Sequence, residues 1–172
     1  MMMEALEAGG LEAGYDTSRN ETMNSRFGDL DYVPNDNYYE LTAQDYVRSD
    51  LIERFDGKLI KCLVGGVLKM PVGEYRVAFM RRPAAEIKMS LTAFFGSDTA
   101  ASRHGDLDSM LNSSIELLRD RRSFLSVDVI DYQDAVLYPL PVFERLVESG
   151  WPIDPVKAAR IPTPQKARYV NA

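Results

Sequence analysis

The residues best able to do chemistry lie in one run, residues 96–108, where Ser97, Asp98, His104, Asp106 and Asp108 bring a hydroxyl, an imidazole and carboxylates close in sequence. A serine nucleophile needs a base within hydrogen-bond reach, and the base needs an orienting group. Such partners usually sit on separate elements that fix their geometry, whereas here all would share one loop. Nor does Ser97 lie in a strand-to-helix elbow pattern. The run reads instead as a connection into a helix, with Asp106 as its cap. No catalytic residue is expected, and the chain reads as a non-enzyme.

Metal and cofactor chemistry finds little more to work with. His104 is the only histidine and Cys62 the only cysteine, which excludes multi-His/Cys zinc sites. A carboxylate site for Mg²⁺ at His104, Asp106 and Asp108 would need further ligands from elsewhere. Asp128 and Asp131 have opposite strand parity and would point to opposite faces, so with Asp134 they make a poor shared site. Gly65-Gly66 follows neither the phosphate-loop nor the dinucleotide pattern and reads as a hairpin turn. No cofactor and no metal are expected. Cys62 reads as a small hydrophobe in an apolar stretch, and one cysteine forms no internal disulfide.

A basic face is the remaining candidate. Arg76, Arg82 and Lys88 would share the wet face of a β-hairpin, with Phe94 as a stacking aromatic, the ingredients of single-strand nucleic-acid binding. Counterion-release binding wants a concentrated basic surface, and this chain has a net charge of −6.

The elements that would position these residues follow from periodicity. Residues 42–55 read as a helix: Thr42 is a plausible cap, Asp45 suits the positive helix end, and Val47, Leu51 and Phe55 form an apolar face. Residues 59–64 and 67–70 read as a hairpin about Gly65-Gly66. Residues 74–82 and 86–95 alternate apolar and polar, which predicts two antiparallel strands joined at Pro83. Residues 106–122 read as a helix, 124–132 as a strand and 141–149 as a short helix. The expected fold is α+β: an antiparallel sheet of four to five strands with two or three helices on one face, plus extended N- and C-terminal arms.

Charge divides the 172 residues into three parts. Residues 1–45 carry −8, residues 46–150 carry −1 and residues 151–172 carry +3. The expected organisation is an acidic extended arm over 1–38, a compact domain over 39–150 and a basic, proline-rich extended tail over 151–172. Tyr15, Phe27 and Tyr32 in the first arm, and Trp151, Ile161 and Tyr169 in the tail, are spaced as anchors on another surface. This predicts a non-catalytic assembly protein whose partners are copies of itself or other subunits of a particle, for example a viral or phage virion component. The alternative is a small regulatory or single-strand-binding module using Arg76, Arg82 and Lys88. No run is long enough to span a membrane and the start does not resemble a signal peptide, so a cytoplasmic or particle-bound protein is expected.

Overall fold

The computed structural model describes residues 1–15, 38–42, 44–45, 48, 50–67, 69–95, 106–120 and 124–162. The chain forms two compact units, one of Met1–Gly10 with Val72–Ala172, the other of Leu11–Pro71.

In chain order the elements are α1 Met2–Ala8, α2 Leu51–Phe55, α3 Val64–Val67, β1 Tyr75–Arg81, α4 Ala84–Phe95, α5 Leu107–Arg119, β2 Phe124–Asp131, α6 Tyr132–Leu137, α7 Pro139–Glu148 and α8 Pro155–Ala158. The first unit is built on β1 and β2. These are rich in β-branched and aromatic residues and pair in parallel, from Tyr75 opposite Phe124 to Arg81 opposite Asp131, with a register shift after Tyr75. Parallel strands need a long crossover, and α4 and α5 occupy it in sequence.

Each helix has a local reason to start and stop. The Asp106 carboxylate accepts the Ser109 N–H at 3.2 Å, capping α5. Leu107, Leu111, Ile115 and Leu118 then recur at helical spacing and are buried. Proline opens α7, where a missing N–H costs nothing. After α7, Gly150 takes φ +88. The Gly150 and Trp151 N–H groups donate to the Val147 and Leu146 carbonyls, at 2.9 and 3.0 Å. This is the Schellman closure, which favours glycine at the left-handed position. The Asp154 carboxylate caps α8 by accepting the Val156 and Lys157 amides.

The core of this unit is apolar. Phe143, Leu6, Leu118, Ile130, Leu146 and Val136 are its most deeply buried large side chains. Leu6 comes from α1, and the segment after α7 meets α1 closely: the Asp154 N–H donates to the Gly9 carbonyl at 2.8 Å. A Cβ at Gly9 would lie 3.2 Å from the Ile153 Cβ, so glycine permits the approach.

The second unit is stitched by isolated bridges rather than long strands. The Leu59 N–H donates to Glu12, Gly14 to Leu59, Tyr39 to Gly14, Lys61 to Tyr39 and Leu41 to Lys61, all within 2.7–2.8 Å. Leu59 thus bridges Ala13, and Lys61 bridges Glu40, both in parallel.

The expected antiparallel sheet of four to five strands is not what forms. The described residues hold one two-stranded parallel sheet with several helices. Residues 86–95 are helical, within α4. In that apolar alternation Ile87 and Leu91 also satisfy an i, i+4 helix spacing, while Met89, two residues from each, falls on the other side and is exposed. Pro83 ahead of Ala84-Ala85-Glu86 then decides for helix, because these are strong helix formers behind a residue suited to the helix start. The expected hairpin at Gly65-Gly66 is a single helical turn, α3. Neither glycine has the positive φ that a type I′ turn demands. Of the helix expected over 42–55, α2 is the regular part; at Thr42 the described residues form a turn closed by the Asp45 N–H bond to the Thr42 carbonyl.

Candidate interaction surface

A groove of about 390 Å³ in the first unit is lined along one side by four consecutive residues of β2, Val127, Asp128, Val129 and Ile130. No β1 residue lines it. Val142 and Leu146 of α7 also line it, together with two basic residues, Arg119 and Arg145. Neither arginine has an ion-pair partner among the described residues. Arg145 does not close on Glu148, three residues along the same helix, although that spacing permits it. Asp128 is already engaged: its Oδ2 accepts the Trp151 indole N–H and the Ser126 hydroxyl, each at 2.8 Å.

The junction of α6 and α7 in the same unit exposes large apolar side chains. Leu137 is 50% exposed, Tyr138 62% and Leu140 39%. Val147 follows Leu140 by seven residues, which puts both on one face of α7, and it too is exposed. Phe143, between them on that stripe, is buried, as are Val142 and Leu146, so Leu140 and Val147 border the buried side of α7.

The second unit concentrates its polar chemistry at Asp45, which is 3% exposed. Its carboxylate accepts the Tyr39 hydroxyl, the Thr42 N–H at 2.6 Å and the Thr42 hydroxyl at 2.8 Å. Burial pushes this carboxyl up, but those three hydrogen bonds, with Arg48 nearby, outweigh it and hold Asp45 below the usual carboxylate range. Tyr39 moves the other way, pushed up to about 12 by burial and by its bond to the Asp45 carboxylate. Every oxygen of the cluster is spoken for within the unit, so it acts as a structural clasp.

Comparison with known proteins finds no match: no family model, no curated sequence and no solved structure.

The residues singled out in the sequence scatter. Phe27, Tyr32 and Tyr169 lie outside the described residues, as do Ser97, Asp98 and His104. Tyr15 is 50% exposed and stacks on Tyr38 at 5.4 Å. Trp151 is buried and Ile161 half-buried. Arg76 is exposed on β1, its guanidinium 3.5 Å from where a Gly150 Cβ would stand. Arg82 is half-buried, pairs with buried Glu86 at 3.4 Å and lies 4.6 Å from the Tyr132 ring centre. The Gln133 amide completes that cluster by donating to Glu86 at 3.0 Å. Lys88 is exposed on α4, and Phe94 belongs to the same helix. The hairpin expected to carry Arg76, Arg82 and Lys88 on one wet face is replaced by a strand and a helix. Among the described residues no three His, Cys, Asp or Glu side chains converge as a metal site, and no helix is long and apolar enough to cross a membrane.

Sequence reasoning missed the groove. Arg119 reads as a charge suited to the helix C-terminus, and Arg145 as an ordinary polar position on an amphipathic helix. The run Leu137-Tyr138-Pro139-Leu140-Pro141 is apolar but carries no periodic signal of an exposed patch.

Proposed function

We propose that the chain is a non-catalytic subunit of a larger protein assembly, bound to copies of itself or to other subunits, as in a viral or phage particle. The observation that supports this reading is the exposed set Leu137, Tyr138, Leu140 and Val147 on a unit whose core is otherwise well buried. Scattered exposed leucines are ordinary, but Leu137, Tyr138 and Leu140 are exposed within four residues of one another, and such clustering is what a surface covered by another protein shows. Covering it gains about 25 cal/mol per Å² of apolar area removed from water. Tyr15 offers a further exposed aromatic on the second unit.

The nucleic-acid alternative loses its platform, because Arg82 is committed to Glu86 and Tyr132. A salt-dependent mobility shift with single-stranded nucleic acid would bring it back.

The decisive measurement is the native mass of the chain in unfractionated lysate. A species well above 19.4 kDa is expected, and the double substitution Tyr138→Glu, Leu140→Glu is expected to return it to lower mass. A wild-type chain that runs alone at every concentration refutes the reading.

A further inference from the structure

We infer that the exposed apolar set at the junction of α6 and α7 docks a basic amphipathic helix of another protein subunit, and not the same surface of a second copy. The inference deepens the assembly reading and rests on it, since it names the chemistry of the partner that covers that surface.

On both helices the exposed apolar side chains have carboxylates for neighbours. Glu144 lies four residues after Leu140 and three before Val147, so the three share one side of α7. Glu144 is exposed, as they are. On α6, Asp134 lies three residues before Leu137 and four before Tyr138. The Tyr138 N–H donates to the Asp134 carbonyl at 2.8 Å, the bond of a helical turn. Asp134, Leu137 and Tyr138 are all exposed. Across residues 131–148 the charged side chains are Asp131, Asp134, Glu144 and Glu148 against Arg145 alone. Arg145 stands five residues after Leu140 and two before Val147, spacings that put it on another side of α7. There it lines the groove with Val142 and Leu146.

This pairing of apolar and acidic groups selects the occupant. Two copies meeting by this surface across a two-fold axis would bring the same carboxylates together, and like charges opposed at an interface disfavour it strongly. Nucleic acid and anionic lipid are repelled for the same reason. A helix whose apolar stripe is flanked by Lys or Arg meets both demands. Its apolar groups leave water together with Leu137, Tyr138, Leu140 and Val147. Its cations complement Asp134 and Glu144. Leu140 and Val147 are two turns apart, about 10.5 Å along the axis, a repeat that a second helix matches with its own i and i+7 anchors.

The test titrates the full-length chain with a synthetic helix of leucine and lysine, the leucines on one face. The same helix with glutamate for lysine is the control. Binding of the lysine helix is expected, and none of the glutamate helix. Asp134→Asn with Glu144→Gln is expected to weaken it at least tenfold, and Tyr138→Ser with Leu140→Ser likewise at unchanged charge. Glu74→Gln with Glu116→Gln removes the same charge from other exposed positions of the unit, and is expected to leave binding within twofold of wild type. In the wild type the lysine helix is expected to slow amide exchange within residues 132–148, a readout that needs no substitution to fold. Equal weakening by the two carboxylate pairs overturns the inference, because the helix then senses net charge and not this surface. Protection confined to other residues overturns it too. Native mass in lysate separates the two readings. A large wild-type species that Asp134→Asn with Glu144→Gln leaves intact overturns the inference and keeps the assembly reading. A wild-type chain that runs alone removes both.

Discussion

At the centre of the first unit Phe143 and Leu118 are completely shielded from water, among Leu6, Ile130, Leu146 and Val136. At the centre of the second unit stands an ionised carboxylate, Asp45, gripped by Tyr39 and Thr42. The first region is held by removal of apolar surface from water, a force without direction and almost without pH dependence. The second is held by short segments whose backbone groups pair one at a time, around a polar knot that has to stay charged. The contrast teaches that one chain can use two kinds of cohesion, and that each has its own point of failure.

The largest expected break is Phe143→Ala. Emptying that site should destabilise the first unit by about 3–5 kcal/mol. Amide exchange is the proper readout, with protection lost in α5, α7 and β2 but kept at Leu59 and Lys61.

Asp45→Asn should break the second unit instead, by about 1–3 kcal/mol, since an amide cannot accept all three donors as well as a carboxylate does. The same residue sharpens the comparison through pH. Because the folded carboxyl titrates below its unfolded value of 3.8, its contribution is complete above that pH and is lost as pH falls through the lowered folded value. Tyr39 has the opposite sign: its contribution is complete below pH 10 and drains as pH rises toward about 12. Residue-resolved exchange against pH should therefore show the second unit loosening at both extremes, and Asp45→Asn should flatten the acid limb. Equal acid sensitivity of both units would erase the distinction drawn here.

A smaller effect, about 1–2 kcal/mol, is expected for Trp151→Phe in the first unit, which removes the indole donor to Asp128. Denaturant midpoints would measure it, and an unchanged midpoint would mean that the hydrogen bond contributes nothing net. The smallest is Gly150→Ala, about 1 kcal/mol, from forcing a Cβ into the left-handed closure of α7.

How far these features can be read from residues alone differs by element. α5 was readable because its cap and most of its apolar face agree: Asp106 precedes Leu107, Leu111 and Leu118 at helical spacing, although Met110 and Leu117, which share the pattern, are exposed. β1 and β2 were readable because Tyr75, Val77 and Phe79, and Val127 and Val129, recur with period two. Their parallel pairing was not, because it depends on helices in the crossover, and α4 was mistaken for a strand. Ile87 and Leu91 fit both periods, Met89 fits only the strand one, and the propensity of Ala84, Ala85 and Glu86 outweighs it. The candidate surface was not read from the sequence: the apolar run at Leu137 to Pro141 stands there without a periodic signal, and the meeting of Arg119, Arg145 and β2 around one groove is a tertiary event that no local pattern announces.

The docking of α1 against the segment that follows α7 has a consequence for biosynthesis. Gly9 at the end of α1 belongs with Ile153 and Asp154, so α1 has no resting place until the ribosome has added about 145 more residues. At about 5–20 residues per second that wait is roughly seven to thirty seconds. During it the apolar side of the nascent helix stays open to any chaperone within reach.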